Sequence, residues 1–530
     1  MLVVCEASVL PLRMRSPSLL SAALGAGILA LHGCAPKSVA LDTGDPMDSG
    51  APVPPTPSIQ VTGGALDPLL GADSALDVTA ANGSTVRLTI ADSSGAIVRT
   101  LADGTTMVDA SSWNGRDDTG VLAPVGSYSV QADLLDLDGA VLASAASTFY
   151  IVRVGVLGGT LGGGDTSGVG RIPMIWHRGN NAPGNYWLED NDDPTFEIEA
   201  IDDGTTATAL PALWEDLDAP PETHVGTVLP AAYPFDATPT FALEISGEFG
   251  DAPVQLTLEG WGAALDVAPG DVAQFTSEAP LAAGPSVVEE SLTLSWTVDT
   301  GDGGEPVIVG TQSLPLRFYA LLAEPVFEEE GLPYAPWVAA IDPALRAIAG
   351  VEGTDEAVTA ALTEWVYRDL GLAYDTQYGA SAYTAYSGRS YNNAVFDFTS
   401  FLGRTNGSTV NCSDCASILE AYADMLGADL EYTIILQNFD LNFIKAIGGE
   451  DYTHCPFGPS GCGFSYHAVT TPNDAATIYD ATLALDGDED PGSGPYTELL
   501  VQDIDGAEYL ERLVKSGRAT YNYTQKESLR

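Results

Sequence analysis

At 530 residues the chain exceeds what one hydrophobic core serves, so its length points to three or four domains. Asp and Glu number 73 against 20 Lys and Arg, a formal charge of -53 spread without a basic stretch. Such a surface repels phosphate backbones and excludes nucleic acid as a partner; it reads as a solubilising coat, with calcium as the one ligand it would suit. In chain order, Arg13 and Arg15 precede an uncharged, mostly apolar run from Leu19 to Leu31. That run is too short to span a bilayer and has the form of an export signal.

The run closes on Leu31-His32-Gly33-Cys34. This resembles the lipobox of bacterial lipoproteins, with His32 in place of the usual small residue, and the resemblance implies cleavage before Cys34 and lipid on its thiol. An ordinary secretory signal over 1–33 is the alternative. Either reading puts the mature chain outside the cytoplasm, anchored at the cell envelope or secreted. Residues 34–57, rich in Pro, Asp, Gly and Ser, cannot bury a core and are expected to form an extended linker. No later segment has the apolar length of a transmembrane helix, so membrane attachment would be through lipid alone.

From 58 to 152 the pattern is alternation and turns: Val86, Leu88 and Ile90 share a face, Arg87 and Thr89 lie between them, and Asp92-Ser-Ser-Gly95 follows. The segment Trp113-Asn-Gly-Arg-Asp-Asp-Thr-Gly120 with Gly126-Ser-Tyr128 resembles the Ig-like domain of the flagellar hook-capping family, Asn114 standing where Asp is common. The resemblance implies a β-sandwich spacer and no activity. From 153 to 325 strand-like runs recur at Thr240–Ile245, Val254–Leu258 and Leu292–Trp296, predicting one or two further sandwiches. The acidic clusters Glu189–Asp193 and Asp299–Gly303 lack the full spacing of a calcium loop and read as solvated turns. The glycine run Gly158 to Gly164 lacks the Lys and Ser or Thr of a phosphate loop and reads as a flexible linker.

Helical spacing begins past 325, over Trp337–Ile348 and Glu356–Leu370, the second with Val358, Leu362, Trp365, Val366 and Leu370 on one face. The segment Cys412-Ser-Asp-Cys415 onward reads as a helix that stops at Gly427. At 100° per residue Cys415, Ile418, Leu419, Tyr422, Met425 and Leu426 form an apolar stripe, while Glu420 and Asp424 face away. Cys415 therefore belongs to the core. Cys412 lies at the stripe's edge in the first turn, where unpaired N–H groups and the helix dipole favour a thiolate.

This stretch resembles the nucleophile helix of the transglutaminase-like (papain-like) superfamily: Cys412, Asp414, Ala416 and Leu426-Gly427 match, while Cys415 replaces an aromatic and Ala428-Asp429-Leu430 replaces Ile-Pro-Ala. Two later motifs, His467-Ala-Val and Asp480-Ala-Thr, match the family's base and orienting residues, with Val469 where Trp is common. The resemblance implies a Cys412, His467 and Asp480 triad in an α+β domain over 326–520, with 521–530 a tail. The expected fold is thus multidomain: N-terminal all-β Ig-like sandwiches, then an α+β transglutaminase-like domain. The expected activity is attack on the carboxamide or peptide bonds of a protein or peptide substrate, hydrolysis favoured over cross-linking, without a cofactor. The Cys412 N–H would serve the oxyanion, with a second donor sought in Tyr391–Asn393.

Other readings share these residues. His454 is the rival base, set in a Gly- and Pro-rich loop. Cys412, Cys415, Cys455 and Cys462 would give a four-thiolate zinc site, and Cys-x-x-Cys alone a thioredoxin-like pair. In an oxidising compartment Cys455 and Cys462 are instead expected to form a disulfide. The other function class is a non-catalytic cell-surface adhesion or scaffold protein, with calcium as its ligand. The anchor is open to direct test: a palmitate analogue should label the wild type in a lipidating bacterium and leave Cys34→Ala unlabelled, and an unlabelled wild type would refute the lipoprotein reading.

Overall fold

Strand periodicity dominates the chain to residue 321, and among the described residues helices enter only beyond it. The computed structural model describes residues 57–530 apart from 71–73, 81–84, 107–109, 163–169, 178–185, 189–194, 199–208, 216–225, 330–334, 387–393, 474–476, 527 and 530. Cys34, the signal at 1–33 and nearly all of the linker at 34–57 lie outside these residues, as does the acidic cluster Glu189–Asp193.

The first sandwich pairs a three-stranded sheet, β1 (Ile59–Val61), β3 (Ser74–Ala80) and β6 (Ala110–Trp113), with a five-stranded one. The latter runs β2 (Gly64–Leu66), β8 (Val141–Ile151), β7 (Gly126–Leu135), β4 (Thr85–Ala91) and β5 (Ile97–Thr106). Val86, Leu88 and Ile90 turn inward as their alternation requires, and Trp113 fills the centre against Phe149 at 5.0 Å and Tyr128 at 5.4 Å. Tyr128 donates its hydroxyl back to Pro124 O at 2.6 Å, locking the entry to β7. Three loops repeat one device: Asp92, Asp117 and Asp136 each accept the N–H groups two and four residues on, with a left-handed Gly at 95, 120 and 139.

The second sandwich begins two residues after β8 ends. One sheet joins Phe196–Glu197, Arg153–Gly162, Thr240–Glu248 and Val272–Thr276; the other joins Ala231–Pro234, Val307–Leu321, Ser286–Val298, Val254–Leu258 and Leu265–Asp266. Phe196, Phe241, Trp261, Trp296 and Phe318 lie in the single core between them. The glycine run corrects the expectation of a linker, since Gly155 to Gly162 lie inside a paired strand. Close packing explains it: a Cβ on Gly159 would come within 2.5 Å of Phe196 and 2.7 Å of Phe241. The Asp299–Gly303 turn uses its carboxylates internally, Asp299 on Gly301 N and Asp302 on Thr300, Gly304 N and Gly63 N of the first sandwich.

Beyond residue 325 come α1 (Val338–Ala347), α2 (Asp355–Arg368), α3 (Phe398–Leu402), α4 (Cys412–Leu426) and α5 (Gly506–Leu513). They accompany a seven-stranded antiparallel sheet whose middle strands are Thr477–Asp486, Gly463–Pro472 and Leu430–Leu441. None of the described helices is long and apolar enough to cross a membrane. Helix α4 begins at Cys412 and stops at Gly427, as its sequence predicts; Asn411 and Asp414 add a capping box at its start, and Gly427 ends it at φ 92° against the backbone of Ala323.

Two further expectations need correction. Glu420 and Asp424 do not face solvent, because α4 is buried on every side. Nor is 521–530 a tail: Thr520–Gln525 pairs with Leu430–Leu441, its Tyr-x-Tyr pattern suiting a strand, and carries Lys526 onto Asp424 at 2.8 Å and Asp429 at 2.6 Å. Burial pushes the Asp424 carboxyl up to about 7 against the opposing pull of Lys526. An acid with a raised folded pKa favours the folded state below its ordinary value of 3.8 and loses that advantage as pH climbs through about 7. Lys526→Met should therefore cost about 3 kcal/mol at pH 8, where it strands a buried carboxylate, and clearly less at pH 5, as urea unfolding at the two pH values will show.

Candidate active site

Helix α4 places Cys412 at its first position, and the side chain is only 3% exposed. It packs with Ala394, Ala416, Tyr432, Ile434 and Ala468, a small apolar cluster apart from the main core. The start of the helix is fixed by Asp414. Its buried carboxylate accepts from Ser381 Oγ (2.6 Å), from the N–H groups of Ala382, Tyr383 and Thr384 (2.7, 2.9 and 2.8 Å) and from Asn411 N (3.1 Å). A web of hydroxyls surrounds this turn: Tyr386 meets Ser413 and Tyr432 at 2.5 Å each, and Tyr466 meets Ser413 at 3.1 Å.

His467 and Asp480 come from adjacent antiparallel strands and are fully or almost fully buried. His467 Nε2 lies 2.9 Å from Asp480 Oδ2, and the buried Nδ1 has no hydrogen-bond partner of normal geometry among the described residues. Cys412 is close enough to act on the proton affinity of this ring. Burial opposes a charged imidazole, but Asp480, with Cys412 adding to it, raises the pKa from 6.5 to about 10. Both neighbours thus favour the charged form of the ring over the neutral one.

Phe464 stacks on the imidazole at 5.2 Å with planes 13° apart, fixing its tilt. Phe464 in turn meets Phe457, which lies in the loop closed by the Cys455–Cys462 disulfide. That bond removes the cysteine pair the zinc reading requires. His454 clusters with the two bonded sulfurs and meets Phe443 edge-on at 4.8 Å, while Cys412 and Cys415 are no part of that group. Cys415 lies in the main core, where burial, and secondarily Asp414, pushes its thiol well above the usual range.

The sequence reading missed three contributors. Tyr509 donates to Asp480 Oδ2 at 2.8 Å, Thr482 N donates to Oδ1 at 2.7 Å, and Phe464 supplies the stacking ring. Thr482 sits two places on from Asp480, the local spacing at which an Asp side chain commonly takes a backbone N–H. Tyr509 comes from α5, and nothing local marks it. Tyr391–Asn393, proposed for the second oxyanion donor, lie outside the described residues.

No family model matches the chain, and no curated protein matches it. Among solved structures it is similar to fibronectin(III)-like modules of Clostridium thermocellum CbhA, at 10% identity over 50% of this chain and 94% of that one, TM-score 0.18. A tetra-tandem repeat from the extending region of a large adhesion protein matches at 14% over 50% and 74%, TM-score 0.12. Drosophila N-cadherin EC1-4 matches at 12% over 50% and 49%, TM-score 0.14. At such scores the likenesses carry no argument, and the site rests on its own geometry.

The two free cysteines should separate in solution. At pH 6 iodoacetamide is expected to alkylate Cys412 in the folded protein and spare Cys415, read by peptide mass mapping. His467→Gln should slow the Cys412 reaction about a hundredfold, since a thiol of ordinary pKa about 8.5 is only ~0.3% ionised there. First modification at Cys415, or indifference to His467, would show that the three residues do not act together.

Proposed function

We propose that the region from about 326 onward is a transglutaminase-like (papain-like) thiol enzyme, held outside the cytoplasm by a lipid on Cys34, that hydrolyses carboxamide or peptide bonds. The observation that carries this reading is a buried imidazole with Asp480 on one ring nitrogen and Cys412 near enough to act on the same ring. Cys412 Sγ attacks the carbonyl carbon, and the carbonyl electrons move onto oxygen beside the Cys412 N–H. Collapse breaks the C–N bond while His467 gives its proton to the departing nitrogen. Water then attacks the thioester and passes a proton to the imidazole, the C–S bond breaks, and the carboxylic acid product leaves with the sulfur returned as a thiolate beside the imidazolium. Asp480 holds the ring in one tautomer throughout. An amine in place of water would give cross-linking by the same steps.

A second reading is a non-catalytic surface protein in which the sandwiches bind or space and the last region is an inherited scaffold. The predominance of β-sheet and the burial of Cys412 favour it. One experiment separates the two. Purified protein is offered glutamine-bearing proteins, peptides and peptidoglycan stem peptides, with ammonia and new amino termini measured with and without a primary amine. Turnover that falls at least about 1,000-fold in Cys412→Ala and His467→Ala, with folding intact by circular dichroism, is the expected result. Equal signals from wild type and Cys412→Ala on every substrate would leave the scaffold reading standing.

A further inference from the structure

Asp480 Oδ2 is a shared acceptor. It takes His467 Nε2 at 2.9 Å and the Tyr509 hydroxyl at 2.8 Å, while Oδ1 takes Thr482 N at 2.7 Å. Tyr509, His467 and Asp480 are at most 1% exposed, so water does not substitute for any of these donors. The phenol is delivered rigidly: Asp505 ends the strand Glu498–Asp505, which pairs with the Asp480 strand, and its carboxylate caps α5 through Ala507 N and Glu508 N. One turn later Tyr509 points back at Asp480.

We propose that Tyr509 is a positioning residue for the triad: through the shared Oδ2 it fixes the Asp480 carboxylate and limits how tightly that carboxylate holds the His467 proton. The inference rests on the triad reading above. Its chemical logic is competition, because two donors on one oxygen divide the negative charge that each would otherwise meet alone. A His467 imidazolium held too tightly would be a poor acid toward a departing nitrogen, and one held loosely would not keep the thiolate paired. Thr482 N acts on the other oxygen, so it orients without competing.

The other titratable groups felt here are Cys412 and Cys415 from α4, Tyr374, Tyr367, and Tyr521 beside Tyr509. None of them changes in the variants that test the idea. Full-length protein carrying ¹³C-labelled histidine has five imidazoles, and the His467 signal is assigned by its loss in His467→Gln. In Tyr509→Phe the His467 titration midpoint should rise by about one pH unit. Replacing Tyr509 site-specifically with 3-fluorotyrosine, a stronger donor of nearly the same size, should move it the other way.

A merely structural phenol would lower the melting temperature and leave both midpoints where they are, and that result, or a fall in Tyr509→Phe, overturns the proposal. Should Tyr509→Phe fail to fold, the fluorinated protein decides alone: an unchanged midpoint refutes, a lowered one supports. Failure of the triad itself reads out separately, as Cys412 alkylation that ignores His467.

Discussion

The carboxylate of Asp414, out of water and met by donors from two separate segments, sets where α4 begins and therefore where Cys412 sits. A buried carboxylate costs several kcal/mol unless every lone pair is answered, and here the 381–384 turn and Asn411 answer them. The same contacts that satisfy the charge thus bind a loop, a helix start and a cap into one piece. The strands bearing His467 and Asp480 pack on that helix, so the spacing of all three groups descends from one side chain's need for partners.

The sandwiches meet this region through particular contacts. Tyr319 and Leu321, at the end of a second-sandwich strand, belong to the same core as α1 and α4. Arg346 of α1 reaches Glu289 at 2.9 Å and Asp342 at 3.0 Å, and Leu322 N donates to Leu426 O at the end of α4. Gly427 stands close against Ala323, where a side chain would collide with backbone. The β-rich part is therefore built into the packing that supports the candidate site, and its acidic turns are largely self-satisfied: hydrogen bonds from Ser94 and Ala96 hold Asp92 below the usual carboxylate range, and those from Thr119 and Val121 do the same for Asp117.

Much of this was legible in the sequence where local rules act. The helix start at Cys412, the stop at Gly427, and the alternation of Val86, Leu88 and Ile90 are each decided within a few residues. What was not legible depends on contacts across the fold. Helix phase correctly set Cys415 inward, yet it sent Glu420 and Asp424 to solvent because it cannot see a strand arriving about a hundred residues later with Lys526. Glycines at 158 to 162 look like a linker until their strand pairing, and the rings of Phe196 and Phe241 against Gly159, are known. Tyr509 is a tyrosine among 21 until the sheet brings it to Asp480.

The near-complete enclosure of both free thiols bears on chemical durability. A thiol open to solvent in an oxidising compartment meets peroxide and disulfides, and oxidation beyond sulfenic acid is in general irreversible. Cys412 lies beneath Tyr432, Ile434 and alanine side chains, and Cys415 lies in the main core; the disulfide joins a different pair. Packing that narrows the approach to a sulfur from solvent narrows the approach of oxidants with it, so the walls around Cys412 and Cys415 shield both thiols.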